Sequence, residues 1–95
     1  MRQLERGMFA RSLAGHDKGR LYIVLDCTAE GVLLADGIHF TLDRPKKKKR
    51  IHLQPDFHMD PELKDKIENK RPVTDREIQK AISMKEEKPR CQRQM

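Results

Sequence analysis

The segment LYIVLDCTAEGVLLADG, residues 21–37, determines the fold class of this chain. Residues 21–25 are all aliphatic, aromatic or β-branched, which are the residue types enriched in strands. The turn-forming TAEG at 28–31 separates them from a second apolar run at 32–36. A helix is the competing interpretation of the first run, but turn residues bound that run at strand length. Because it is apolar on both faces, it suits a strand of a small barrel better than a strand with one face in water.

The same pattern of short strands and turns extends in both directions from this segment. A strand at 7–13 precedes the turn AGHDKG at 14–19, and Asp36-Gly37 is a hairpin signal before a strand at 38–42. A last short strand at 51–53 is closed by a proline. Short strands without crossover helices predict a mainly β fold, a small antiparallel barrel. The predicted core consists of Phe9, Leu13, Leu21, Ile23, Leu25, Val32, Leu34, Phe40, Leu42 and Leu53.

The second half of the chain has a different composition and predicts a helical arm. Residues 55–95 contain no glycine and carry mixed charge, so we divide the chain into a barrel domain, 1–54, and this arm. Asp60-Pro61 begins a first short helix, because Asp caps a helix and Pro fits its first position. Lys70-Arg71, followed by a proline, ends it.

Residues 73–87 predict a second helix with a strong N-terminal signature. Thr74 and Glu77 have the spacing of a capping box, and Val73 and Ile78 have the spacing of a hydrophobic staple. The apolar face is formed by Ile78, Ala81 and Ile82. We expect the last eight or so residues of the chain to be loose.

Positive charge is concentrated in one short segment. The formal net charge is +6, of which +5 belongs to residues 1–54, and six of the seven residues from 44 to 50 are Lys or Arg. Such a run can be a nuclear import signal, a solvated loop or a contact surface for a polyanion. These cations repel one another, and phosphates would neutralise that repulsion. A contact surface for a polyanion is therefore the favoured interpretation. Lysine is a mobile point charge, so the run is expected to hold a nucleic-acid backbone without reading bases.

Several classes of function are not expected. The chain has no apolar stretch long enough to span a membrane, no secretory signal and no nucleotide-binding or hydrolase motif. Catalysis, a cofactor and a small-molecule substrate are therefore not expected. The histidines lack metal-ligand spacing; they are His16, His39, His52 and His58. Cys27 and Cys91 are expected to be unpaired thiols in a reducing cytoplasm.

The segment from 7 to 37 resembles the KOW motif: an entry strand, a G-x-x-x-G turn with a basic residue beside the second Gly, and an apolar strand. Together with LDRPKKKKRIHLQ at 42–54, residues 5–54 resemble the small bacterial KOW-domain RNA-binding proteins. These are related to the archaeal and eukaryotic large-subunit ribosomal proteins of the fourteen-e type. VTDREIQKAI at 73–82 resembles the C-terminal helix of the bacterial group. The resemblance implies an SH3-like barrel that binds structured RNA, ribosomal RNA above all, and a cytoplasmic location on or near the large ribosomal subunit.

The resemblance and the charge together predict a site with two basic edges, the turn 14–20 and the loop 44–50, that straddle an RNA backbone. His16 departs from the Arg expected at its position in the motif. A protein–protein adaptor and a DNA-binding or transcription-associated KOW module are the alternatives. The predicted contact residues are Arg11, Gly15, His16, Lys18, Gly19, Arg20, Arg44, Lys46, Lys47, Lys48, Lys49, Arg50 and His52.

Overall fold

The computed structural model describes residues 4–93, apart from the side chains of 57–59 and 87–93. Five strands form one antiparallel sheet in the order β4-β3-β2-β1-β5, and two helices follow. The strands are β1 Met8–Ser12, β2 Leu21–Thr28, β3 Gly31–Ala35, β4 Lys46–Lys48 and β5 Leu53–Met59. A short 3-10 helix, Arg50–His52, precedes β5, and the helices are α1 Pro61–Glu68 and α2 Asp75–Arg93. The chain is thus a small β-rich domain, as the sequence predicted.

The sheet is buried on both faces. One face carries a core of Leu4, Met8, Ala10, Tyr22, Val24, Val32, Leu34 and Leu53, with Cys27 and Phe40 at its margin. The opposite face carries a core made with the helices: Phe9, Leu21, Ile23, Ala35, Leu63, Ile78 and Ala81. This arrangement explains why β2 is apolar at successive positions, since alternate side chains enter different cores.

The predicted core was right for most strand positions and wrong for Leu13. That side chain is 44% exposed, because β1 ends at Ser12 and Leu13 already belongs to the following turn. Leu25 and Leu42 are only partly buried, and they pack at the margin of the helix-side core.

The predicted hairpin at Asp36-Gly37 and the strand at 38–42 are wrong. The Oδ1 atom of Asp36 accepts hydrogen bonds from the backbone N–H groups of Ile38, His39 and Phe40 at 2.9, 2.9 and 3.0 Å. These bonds fold the segment into a closed loop and leave it without a strand partner. The Asp side chain thus takes up backbone N–H groups that a strand would donate to its neighbour in the sheet, which is a known property of this residue.

Gly37 has a second role, because α2 packs directly on it. Its φ is +82°, and a Cβ atom there would overlap the carbonyl oxygen of Asp75 and lie 2.7 Å from Cγ of Gln79. The Asp-Gly pair therefore marks the place where the helix is seated on the sheet.

The strand predicted at 51–53 is also displaced. Residues 50–52 form the 3-10 helix, and β5 pairs with β1 from Ser12↔Leu53 past Ala10↔Pro55. The strand therefore crosses the expected boundary between residues 54 and 55. Its proline lies in a strand at one end of the sheet order, where a missing N–H group is tolerated.

Both helix starts agree with the sequence prediction. The Asp60 side chain accepts hydrogen bonds from the N–H groups of Glu62 and Leu63 and caps α1. Thr74 and Glu77 form the reciprocal capping box of α2, with N···O distances of 3.0 and 3.2 Å. The second helix is longer than predicted and is assigned through Arg93, whereas loose chain was expected over about the last eight residues. Positions 94–95 lie outside the described residues.

Candidate nucleic-acid interface

The turn 14–20 is closed by its own backbone. The N–H of Gly19 donates to the Ser12 carbonyl at 2.8 Å, and the N–H of Arg20 donates to the Asp17 carbonyl at 2.9 Å. Gly15 and Gly19 have φ values of +90° and +88°, which side chains other than glycine rarely adopt. The two glycines that the KOW resemblance singled out thus allow the chain to reverse within this turn.

A polar network on Asp17 attaches this turn to the basic run. Its Oδ1 atom accepts hydrogen bonds from Ser12 Oγ at 3.0 Å and from Lys48 Nζ at 3.1 Å. Its Oδ2 atom accepts one from the hydroxyl of Tyr22 at 2.7 Å. The Asp17 and Lys48 side chains are only 12% and 11% exposed, and Tyr22 is fully buried. Charged groups this well covered are stable only when paired, so the network fixes the turn against β4.

The network displaces the pKa values of both acidic members. Burial alone would raise the pKa of Asp17, but hydrogen bonds from Tyr22, Lys48 and Ser12 and the charge of Lys48 outweigh it and hold that pKa well below its usual range. Burial, followed by the hydrogen bond and the charge of Asp17, raises the pKa of Tyr22 well above its usual range. Asp17 is therefore a carboxylate and Tyr22 a neutral phenol at neutral pH.

The basic run is not the loop that the sequence predicted. Residues 46–48 form β4, which pairs with β3 through Val32↔Lys48 and Leu34↔Lys46. The ammonium group of Lys46 lies 4.8 Å from the centre of the Phe40 ring, and that of Lys47 lies 2.9 Å from Glu30. Together with the Lys48–Asp17 pair, these contacts involve half of the six cations in structural interactions.

The other half of the run is free to meet a partner. Arg44, Lys49 and Arg50 are exposed and form no ion pair with any side chain that the structure describes. Lys18 and His16 on the turn are also exposed and unpaired within the same set of side chains. Five groups that can carry positive charge thus remain available.

The two predicted edges form one continuous surface. The N–H of Leu13, the residue before the turn, donates to the carbonyl of His52 in the 3-10 helix at 2.8 Å. The Lys48–Asp17 pair connects the same turn to β4. We call the surface made of residues 14–20 and 44–52 the basic face.

Arg11 belongs to the support of this face. Its Nη1 atom donates to the Gly19 carbonyl at 2.7 Å and lies 3.6 Å from the Glu86 carboxylate on α2. Arg11 therefore ties the turn to the helix, which the prediction of a direct RNA contact did not anticipate.

Arg20 points away from the other cations of the turn, toward the loop after β3. Its Nη1 atom lies 2.7 Å from Nδ1 of His39 and 3.7 Å from Oδ2 of Asp36. The same nitrogen of His39 lies 3.4 Å from Oδ2 of Asp36, so it can accept a hydrogen bond from Arg20 or donate one to Asp36, but not both at once. Burial would raise the pKa of Asp36, but the N–H groups of Phe40 and Ile38 and the side chain of His39 lower it overall.

Sequence reasoning missed the acids that organise this region: Asp17, Glu30, Asp36 and Glu86. Only Asp17 carried a local signal, since it is the one acid inside a glycine-bounded turn otherwise rich in basic residues. The others come from distant segments and meet their partners only in the fold.

Other chemistry finds little support in the described part of the chain. Among the side chains that the structure describes, no three of His, Cys, Asp or Glu form a cluster that could hold a metal ion, and neither described helix is long and apolar enough to cross a membrane. Cys27 is unpaired, and burial raises the pKa of its thiol; the Cys91 side chain lies outside the described set.

Comparison of the whole chain with protein-family models finds no match, and no curated protein is significantly similar to it.

Proposed function

We propose that this chain is an RNA-binding protein whose sheet closes into an SH3-like barrel and whose basic face holds the backbone of a structured RNA. The observation that carries the proposal is the set of exposed, unpaired cations on two segments that Asp17–Lys48 and Leu13–His52 join into one surface. A cluster of cations without acidic partners is costly by itself and becomes favourable when phosphates neutralise it.

The members of the face have different roles in this proposal. Lys18, Arg44, Lys49 and Arg50 contact phosphates directly, because they are exposed and form no ion pair with a described side chain. Lys48 is a positioning residue, since its side chain is 11% exposed and its ammonium group is held by Asp17. Replacing all four lysines of the run would therefore confuse lost binding with lost structure.

Ribosomal RNA of the large subunit, in the cytoplasm, is the partner that the KOW resemblance of residues 5–54 favours. Lysine and arginine contacts to a backbone carry no sequence information, so the shape of the RNA would determine which site is chosen.

The decisive experiment measures RNA affinity as a function of salt for two matched triple variants. Arg44→Gln/Lys49→Gln/Arg50→Gln removes three cations of the basic face, and Lys70→Gln/Arg76→Gln/Lys80→Gln removes three exposed, unpaired cations elsewhere on the described surface. The first variant should reduce the slope of log affinity against log salt by about 2–3, because each of the three lost contacts contributes about 0.7–0.9. The second should change it little.

Equal slopes for both variants would show that net charge alone determines binding and would overturn the proposal.

A competition between a folded RNA and duplex DNA of equal charge separates the RNA-binding protein from a DNA-binding module. Sedimentation of a native lysate at low and high salt tests the ribosomal part. Migration with large-subunit particles at low salt only is the expected result.

A further inference from the structure

A cleft next to the basic face has the chemistry of a nucleobase site. Its volume is about 310 Å³, and it lies between Arg20 and the loop 36–40 on one side and α2 on the other. Leu21 and Ile82 line it with aliphatic surface, and Ile38, which is 66% exposed, stands at its rim. Ligand clefts run from about 300 to 1,000 Å³, so this one suits a group of the size of a single base.

The walls of the cleft are fixed by the fold. Gln79 Nε2 donates to the carbonyl of Gly37 at 2.6 Å, which attaches α2 to the loop. At the C-terminal end of the helix lining, Glu86 lies 3.6 Å from Arg11, which itself donates a hydrogen bond to the Gly19 carbonyl. The helix residues that line the cleft are Gln79, Ile82, Ser83 and Glu86, whose spacing puts them on one helix face.

The polar groups at the rim include both a donor and an acceptor. Arg20 uses Nη1 toward His39 and Asp36, and a guanidinium has five N–H groups, so others remain available. Glu86 supplies a carboxylate that is exposed and only loosely paired with Arg11. Guanine presents acceptors at O6 and N7, which suit an arginine, and N–H donors on its other polar edge, which suit a carboxylate.

We propose that this cleft binds one unpaired guanine base of the RNA that the basic face holds, an inference that rests on the proposed function. Aliphatic side chains cover the faces of the base, Arg20 donates to its acceptors and Glu86 accepts from its donors. Arg20, which directly follows Gly19 in the turn, belongs both to the basic face and to the lining of the cleft. The backbone would then be held by charge, and one position of the RNA would be selected by chemistry.

The test uses fluorescently labelled RNA hairpins that differ only in one bulged position: guanine, adenine, uracil or an abasic site. The full-length protein should bind the guanine bulge about tenfold more tightly than the abasic one, which is the lower range for one good side-chain pairing with a base. Ser83→Phe fills the cleft and should remove this preference. Met84→Phe is the control, because that side chain is 60% exposed and lines a different groove.

The outcomes separate the two proposals. Equal affinity for the four hairpins, with the salt dependence of the basic face intact, would overturn the guanine site and leave the proposed function standing. Preference for guanine in Met84→Phe but not in Ser83→Phe supports the site. If the protein binds none of the hairpins with a salt-dependent affinity, the proposed function is overturned, and this inference with it.

Discussion

Replacing Asp17 with Asn should destabilise the whole domain, although it changes a single atom of one side chain. The amide keeps the shape of the carboxyl group but removes the charge that faces Lys48 Nζ at 3.1 Å. It also weakens the acceptor for Tyr22, whose hydroxyl lies at 2.7 Å. The Lys48 side chain is 11% exposed, and its ammonium group then has no countercharge.

The size of the effect follows from these contacts. A hydrogen bond to a charged group contributes about 1.5–3 kcal/mol, and breaking a buried ion pair costs about 3–5 kcal/mol. Because both charged groups keep some contact with water, we expect Asp17→Asn to lower the free energy of unfolding by about 2–4 kcal/mol. For a domain of this size, the melting temperature should fall by about 10–25 °C.

Urea and thermal unfolding followed by circular dichroism measure this change, and Tyr22 provides a second probe. It is the only tyrosine in a chain without tryptophan, so intrinsic fluorescence reports on this network alone. The double variant Asp17→Asn/Lys48→Met removes the orphaned charge and should recover part of the loss. A loss below about 1 kcal/mol in the single variant, the scale of an ordinary hydrogen bond, would refute the argument. So would a double variant less stable than the single one.

The same network determines the acid limb of the stability curve. The pKa of Asp17 is lowered in the folded state. Its contribution to the free energy of unfolding is therefore complete above the pKa of the unfolded state, about 3.9, and is lost as the pH falls through the pKa of the folded state. Asp17→Asn should therefore flatten the dependence of stability on pH below about 4, relative to the unchanged protein.

Other expected outcomes concern Tyr22, Gly37 and Leu13. The pKa of Tyr22 is raised in the folded state, so its contribution to the free energy of unfolding is complete below about pH 10 and is lost at higher pH. In a pH titration, phenolate absorbance should therefore appear at higher pH than for free tyrosine and should rise together with unfolding. Gly37→Ala places a side chain at a positive φ and against the backbone of α2. It should lower the free energy of unfolding by clearly more than backbone strain alone, which costs about 1–3 kcal/mol. Gly19→Ala is the control, because Gly19 also has a positive φ but has open space around it. Equal losses of unfolding free energy in the two variants would contradict the packing argument. Leu13→Ser should change the melting temperature little, because Leu13 lies outside the core; a loss like that of a buried leucine would contradict this.

Features set by local interactions could be predicted from the sequence. The apolar run at 21–25 becomes β2, and the Thr74–Glu77 capping box begins α2, because strand propensity and caps act over a few residues. Asp36-Gly37 predicted a hairpin where α2 packs on the loop, since both arrangements use a glycine with positive φ. The sequence alone does not distinguish them.

The candidate site was predictable in outline but not in its division of roles. Charge density marked residues 44–50, yet three lysines in a row are poor strand formers, and only pairing with β3 makes them a strand. Once they alternate across the sheet, Lys48 is directed to Asp17 and Lys47 to Glu30. These partners are 31 and 17 residues away, a separation that no local pattern reveals.

The position of β4 at one end of the sheet order also affects solubility. An uncovered edge strand is a template on which a second copy of a chain can add a strand and start aggregation. Here each residue of that strand is a lysine, so two such edges would repel each other before their backbones could pair. The lysine run would thus oppose self-association of the free protein, whatever polyanion it meets.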